Sequence, residues 1–61
     1  MKFTLEITCD NAAFGDDEES LATQTAFILR HVSARVDSGT FQGKIYDENG
    51  NVVGSYQFVE E

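Results

Sequence analysis

Residues 41–58 read FQGKIYDENGNVVGSYQF, two runs of alternating apolar and polar residues on either side of Asn49-Gly50. Asn-Gly between two such runs is the strongest short-range signal of a β-hairpin, because both residues tolerate the positive φ of a type I′ turn. We therefore predict strands over residues 41–47 and 52–59, joined by a tight turn.

The turn type sets the register of the hairpin. With Asn49 and Gly50 as the two central residues, the predicted pairs are Glu48 with Asn51, Ile45 with Gly54, Gly43 with Tyr56, and Phe41 with Phe58. Each glycine then lies opposite a large side chain, and the two phenylalanines stack. A three-residue loop with a bulge would instead pair Phe41 with Gln57 and mix core and solvent faces, so the tight turn is favoured.

The preceding part of the chain predicts one strand and one helix. Residues 3–10 alternate apolar and polar side chains, which indicates a half-buried strand whose odd-numbered residues face the core, with Phe14 folding back as a plug. Asp16, with Glu19 three residues later, suggests a capping box and a helix that begins near Asp17 and ends near Gly39. Its apolar stripe comprises Leu21, Thr25, Ile28, Leu29, Val32 and Val36.

These elements predict one α+β domain over residues 1–61, with β-α-β-β order and one helix packed on one face of a three-stranded sheet. The sequence leaves two positions open for strand one: beside strand two, in parallel, or beside strand three, antiparallel. The other side of the sheet, the outer sheet face, has no cover within the chain. It is predicted to carry Thr4, Glu6, Thr8, Gln42, Lys44, Tyr46, Val53, Ser55, Gln57 and Val59.

The connectivity also predicts a concentration of acidic side chains at one end of the domain. The end of strand one, the start of the helix and the Asn49-Gly50 turn should meet there, because the helix returns the chain to its starting end before strand two. Seven acids lie in those segments, with no Lys or Arg nearby in the sequence. We call this set the acidic pole: Asp10, Asp16, Asp17, Glu18, Glu19, Asp47 and Glu48.

Composition excludes several classes of partner. The net charge of −7 and the pI near 4.3 argue against direct binding of nucleic acid or anionic lipid, because phosphate groups are bound by clustered Lys and Arg. The sequence has no apolar run of membrane-spanning length and no secretory signal pattern. With Cys9 as its single cysteine, the chain is predicted to act in the cytoplasm.

The sequence also offers little for catalysis or metal binding, although its paired carboxylates could in principle serve acid-base chemistry. His31 is the single histidine and Cys9 faces the core by strand parity, so no nucleophile-base pair is predicted. Asp47, Asn49 and Asn51 resemble the first ligands of a calcium loop, but Phe58 stands where the bidentate Glu should be. We therefore predict a non-enzymatic protein that needs no metal and no cofactor.

A second candidate contact lies on the polar side of the predicted helix. Phe27 falls outside the apolar stripe, close to His31 and with Arg30 beside it. It is predicted to be either a satellite core residue or, with Arg30, an exposed anchor for a partner or a second copy, since aromatic and arginine side chains are enriched in interface hot spots.

The strings MKFTLEITCDNAAF and DENGNVVGSYQF resemble small uncharacterised proteins of bacteriophages and prophages, which open with a similar MKxTLEIxxDNAAF string and end in an Asn-Gly hairpin. This resemblance covers most of the chain and implies a phage or mobile-element origin and the cytoplasm of a bacterial host. It assigns no functional residues. In size and charge alone, the chain is similar to small acidic phage inhibitors of host defence, of the anti-CRISPR or anti-restriction type.

Together these observations favour an acidic protein-binding module that docks on a basic, nucleic-acid-binding surface of a host protein. The acidic pole would supply the electrostatic contact, and Phe27 with Arg30 a second one. The alternative is a structural or assembly module that self-associates, as a homodimer for example, through the outer sheet face or the Phe27 patch.

Overall fold

The last strand in chain order lies in the middle of the sheet. The computed structural model describes all 61 residues. It contains β1 (Lys2–Ile7), a 3₁₀ turn (Ala12–Phe14), α1 (Glu18–Asp37), β2 (Gln42–Tyr46) and β3 (Val52–Val59). The strand order is β1-β3-β2, with β3 antiparallel to both neighbours, so β1 and β2 run in the same direction as edge strands. The predicted α+β fold is confirmed, and the strand order left open is resolved in favour of β1 beside β3.

The core lies between α1 and one face of the sheet, where six apolar side chains are buried: Phe14, Ile28, Val32, Ile45, Val53 and Tyr56. Phe14 is only 1% exposed, which agrees with its prediction as a plug. Asn11 holds the 3₁₀ turn that carries it, because its side-chain oxygen accepts a hydrogen bond from the Ala13 N–H at 2.9 Å. A short turn outside the regular elements therefore supplies one of the largest core side chains.

α1 buries a narrower face than its apolar stripe predicts. Ile28 and Val32 are buried, whereas Leu21 and Leu29 remain 40% and 45% exposed. The reason is the position of the helix, which approaches β2 more closely than β1. The helix ends as predicted, since Gly39 adopts a φ of 98° and its N–H donates to the Val36 carbonyl. The side of α1 above β1 is therefore left partly uncovered.

The hairpin turn differs from the prediction. The Gly50 N–H donates to the Asp47 carbonyl at 3.1 Å, and the Asp47 N–H donates to the Asn51 carbonyl at 3.0 Å. Of these turn residues only Gly50 has positive φ, at 83°, whereas a type I′ turn needs positive φ at Asn49 as well. The tight turn is therefore wrong: residues 48–50 form a three-residue loop, and Glu48 does not pair with Asn51.

A bulge at Val53 restores the predicted register beyond the turn. Tyr46 pairs with Val52 and Ile45 with Gly54, which leaves Val53 as an extra residue on β3. Val53 was predicted on the outer sheet face, but the bulge turns it into the core, where it is 7% exposed. The predicted pairs Ile45 with Gly54 and Gly43 with Tyr56 are confirmed. Phe41 lies just before β2, and its ring contacts that of Phe58 edge-on, with the centroids 5.6 Å apart.

Gln24 is a buried polar residue whose replacement should stabilise the fold. Its side chain is 5% exposed, and its Nε2 has no hydrogen-bond partner. A buried donor without a partner carries a desolvation cost, which an apolar side chain of similar shape removes. We expect Gln24→Met to raise the free energy of unfolding by about 1 kcal/mol in urea denaturation. A loss of stability would contradict this expectation and would show that the Gln24 amide forms a stabilising hydrogen bond in solution. The control is Thr23→Met, at an exposed position.

Candidate functional site

The acidic pole forms where three segments meet. The Asn11 side-chain amide donates to Asp47 Oδ2 at 2.7 Å, and this bond ties the loop after β1 to the hairpin turn. The 3₁₀ turn that follows Asn11 packs against α1, so the start of the helix lies at the same end. The segments that carry the seven acids therefore converge as the connectivity predicts.

The start of α1 contributes four consecutive acids at residues 16–19, all exposed. Asp17 caps the helix, because its Oδ1 accepts a hydrogen bond from the Ser20 N–H at 2.7 Å. That backbone bond also lowers the pKa of the Asp17 carboxyl below its ordinary value. The capping box predicted for Asp16 and Glu19 is thus wrong: the N-cap is Asp17, and Asp16 keeps a free carboxylate.

Asp47 occupies a different environment from the other acids. It is 5% exposed, and its Oδ1 accepts the backbone N–H groups of Asn49 and Asn51 at 2.8 and 2.9 Å. Its Oδ2 accepts the side-chain amides of Asn11 at 2.7 Å and Asn51 at 3.4 Å. Both carboxylate oxygens are bonded within the turn and to the loop after β1, so Asp47 links these two segments. Asp47 was predicted as a contact for a partner, and in this position it presents little surface to one.

The Asn51 N–H is the main reason that the pKa of Asp47 lies below its ordinary value. Burial acts in the opposite direction, and the bonds from Asn11 and Asn49 add to the lowering. No Lys or Arg takes part in this network. Asp47 is therefore ionised at neutral pH and is stabilised by amide dipoles alone.

Six carboxylates of the acidic pole remain on the surface: Asp10, Asp16, Asp17, Glu18, Glu19 and Glu48. None of them accepts a hydrogen bond from a basic side chain, since the one bond in the set is from the Ser20 N–H to Asp17. Arg35 is engaged elsewhere, where its Nη1 donates to the Lys44 carbonyl at 2.6 Å. The surface of this end is accordingly anionic and without internal neutralisation.

The structure separates Phe27 from Arg30, the two residues predicted to form a second contact. Phe27 is half-buried, packs against the core and lies with its ring centroid 4.3 Å from that of His31. It lines a groove of about 250 Å³ between α1 and β2, together with Arg35 and Tyr46. Arg30 is fully on the surface and does not line this groove. Of the two predicted alternatives for Phe27, the satellite core residue describes its position better.

Arg35 is the residue that the sequence analysis missed. Its guanidinium lies 5.2 Å from the centre of the Tyr56 ring and occupies the space where a side chain on Gly43 would be. Gly43 was the signal in the sequence, since a glycine inside a strand often marks the close approach of another group. Arg35 thereby closes the β2 side of the core.

The remaining surface offers few groups for chemistry. No cluster of three or more His, Cys, Asp or Glu side chains is arranged to hold a metal ion. α1 lacks the combination of length and apolar character that a bilayer-spanning helix requires. The outer sheet face is mainly polar, with Tyr46 and Val52 as its larger exposed apolar side chains. Comparison with known proteins found no matching family model, curated protein or solved structure.

Proposed function

We propose that the chain is a non-enzymatic protein-binding module whose acidic pole docks on a basic surface of a partner protein, of the kind that binds nucleic acid. The observation that supports this is the set of six exposed carboxylates without a cationic neighbour at one end of the fold. Unpaired carboxylates side by side resemble the charge array of a phosphate backbone, and a basic surface attracts both.

The overall charge strengthens this electrostatic contact. A chain with a net charge of −7 is drawn toward a positive surface over distances set by the Debye length, which is roughly 14 Å at 50 mM salt and about 4 Å at 500 mM. Complementary charge raises association rates and orients the encounter. The groove beside Phe27 is the proposed second contact, and exposed Arg30, which lies outside that groove, is proposed to add to it.

A module that covers a nucleic-acid-binding surface would inhibit its partner by competition. The resemblance to phage and prophage proteins suggests where such inhibition would be useful. We accordingly propose a phage-encoded inhibitor of a host protein, of the anti-CRISPR or anti-restriction type, acting in the bacterial cytoplasm. This finer proposal depends on the resemblance and on charge, whereas the docking proposal depends on the acidic pole.

Neutralising three acids at the start of α1 is the test. The variant Asp16→Asn, Glu18→Gln, Glu19→Gln retains the Asp17 cap, so the helix should stay folded. We expect its affinity at 50 mM salt, for a partner captured from bacterial lysate, to fall about tenfold or more, since each lost charge pair contributes roughly 0.5–1 kcal/mol. Titration calorimetry gives the affinity, and displacement of double-stranded DNA from the partner gives the inhibition.

The matched control is Asp37→Asn, Glu60→Gln, Glu61→Gln, which removes one Asp and two Glu charges outside the acidic pole. It should bind within about twofold of the original chain, because its net charge changes equally while the acidic pole is intact. Equal weakening by both triple variants, or an affinity that does not change between 50 and 500 mM salt, would refute docking through the acidic pole.

A further inference from the structure

The two free edges of the sheet differ in how they are protected. Natural proteins guard exposed edges with Lys, bulges or covering groups, because an unpaired strand can hydrogen-bond to another chain. On β2, Lys44 is central, and Arg35 donates to the Lys44 carbonyl. Antiparallel pairing of two copies about this residue would place Lys44 opposite Lys44 and repel. The β2 edge is therefore guarded against self-association.

The β1 edge has the opposite property, because its sequence is complementary to itself. β1 is an edge strand whose only hydrogen-bonded neighbour in the sheet is β3, and it begins Lys2-Phe3-Thr4-Leu5-Glu6. Antiparallel pairing of two copies about Thr4 places Lys2 of each copy opposite Glu6 of the other. It also places Thr4 opposite Thr4 and Phe3 opposite Leu5. Opposite charges, threonine pairs and apolar pairs are all favourable across strands.

We propose that the chain forms a two-fold symmetric homodimer in which the two β1 edges pair antiparallel about Thr4 into a continuous six-stranded sheet. The partner is a second copy of the chain, selected by the two Lys2–Glu6 contacts. An isologous contact of this kind is the commonest way in which identical chains associate. The inference does not depend on the docking proposal.

The exposed apolar side of α1 favours dimerisation through the β1 edge over the β2 edge. A groove of about 450 Å³ lies between α1 and β1, lined by apolar side chains that include Phe3, Leu5 and Leu29. Phe3 and Leu29 are 42% and 45% exposed. Pairing about Thr4 keeps equivalent faces together, so both helices lie on one side of the joined sheet and the two grooves meet above the new strand pair. Exposed apolar surface next to β1 is thereby removed from water.

The charge distribution also favours this arrangement. Each β1 ends at the acidic pole, and antiparallel pairing directs the two poles to opposite ends of the dimer. Two chains of net charge −7 thus associate with their most acidic surfaces farthest apart.

Other registers lose the complementarity. A shift by two residues places Thr4 opposite Glu6 and Leu5 opposite Leu5, and neither Lys2 meets an acid. A shift by one residue places Phe3 opposite Glu6, which mixes the apolar and polar faces and moves the helices to opposite sides. Pairing about Thr4 alone satisfies charge and face together.

Substitutions that reverse the charge of Lys2 or Glu6 test the proposal. Sedimentation velocity of the full chain at rising concentration should show a species of twice the 6.8 kDa monomer mass. Lys2→Glu and Glu6→Lys should each weaken dimerisation about tenfold or more, because each places like charges opposite one another twice. The double variant should dimerise again. The two single variants, each impaired alone, should form a heterodimer when mixed, since Glu at residue 2 of one then meets Lys at residue 6 of the other.

Lys44→Glu is the matched control, because it makes the same charge change as Lys2→Glu on the guarded edge and should leave the dimer unchanged. Circular dichroism confirms that each variant is folded. A wild-type chain that stays monomeric at every concentration, a dimer that survives both single substitutions, or the absence of a heterodimer on mixing would each overturn the proposal. Loss of the dimer with intact salt-sensitive partner binding would leave the docking proposal standing.

Discussion

Phe14→Ala is expected to unfold much of the protein at room temperature. Phe14 is 1% exposed and belongs to a core of six buried apolar residues, so little nearby structure can move to refill the space. Removing a buried phenylalanine costs about 3–5 kcal/mol, whereas a domain of this size has a total stability of roughly 3–9 kcal/mol. Urea denaturation followed by circular dichroism measures the loss.

Phe41→Ala provides the matched comparison for this change. Phe41 is 60% exposed and contacts the Phe58 ring in an edge-on arrangement. The same substitution there should cost less than about 1 kcal/mol, because most of the side chain is already in water. Similar losses for the two variants would mean that Phe14 does not fill the core in solution.

Asp47→Asn is expected to cause the largest stability loss of any single acid substitution. The asparagine can keep the two backbone bonds through its oxygen, but its NH₂ group then faces the amide donors of Asn11 and Asn51. Two segments of the domain lose their link, and the turn loses the negative charge that its amides surround. Thermal unfolding at neutral pH measures this loss.

Asp47 also gives the stability a pH dependence with a defined sign. Its pKa is lower in the folded state than in the unfolded chain, so its contribution is complete above the unfolded pKa of about 4. The contribution disappears as the pH falls through the folded pKa, because protonation removes an acceptor from the network. The wild-type protein should therefore lose stability as the pH falls below about 5, and Asp47→Asn should flatten that fall.

Asp17→Asn is the control for the acid effect. Its pKa is also lowered, by the Ser20 N–H, but asparagine caps helices about as well as aspartate. It should reduce stability at neutral pH far less than Asp47→Asn does. If the two variants lose equal stability, the Asp47 network is no stronger in solution than an ordinary helix cap.

The sequence predicted the elements of this fold better than their junctions. Alternation in β1, the periodicity of α1 and the pairing of Gly43 with Tyr56 follow from side-chain patterns that extend over many residues. The turn was missed because Asp47 and Asn49 both suit several turn types, and because Asp47 also accepts a bond from Asn11, a residue distant in the sequence. The bulge at Val53 has no local signal, because it only compensates for the longer loop.

For the candidate site, the sequence predicted the position of the segments but not the environment of each residue. Connectivity placed the acidic segments at one end, because the directions of β1, α1 and β2 follow from their order. It did not separate Asp47 from Glu48, its neighbour, although one is buried and the other exposed. That difference depends on the geometry of hydrogen bonds within the turn, which side-chain type alone does not determine. Both residues carry the same charge in the sequence.

The central position of β3 has a consequence for how the chain acquires its structure. Every strand-to-strand hydrogen bond involves β3, so a nascent chain that has not yet produced Val52 contains no two strands that are paired in the final sheet. Residues near opposite ends, such as Phe3 and Phe58, must find each other before β1 can join the hairpin of β2 and β3. Such distant contacts slow folding relative to local ones. The complete three-stranded sheet can therefore form only after β3 has emerged from the ribosomal exit tunnel.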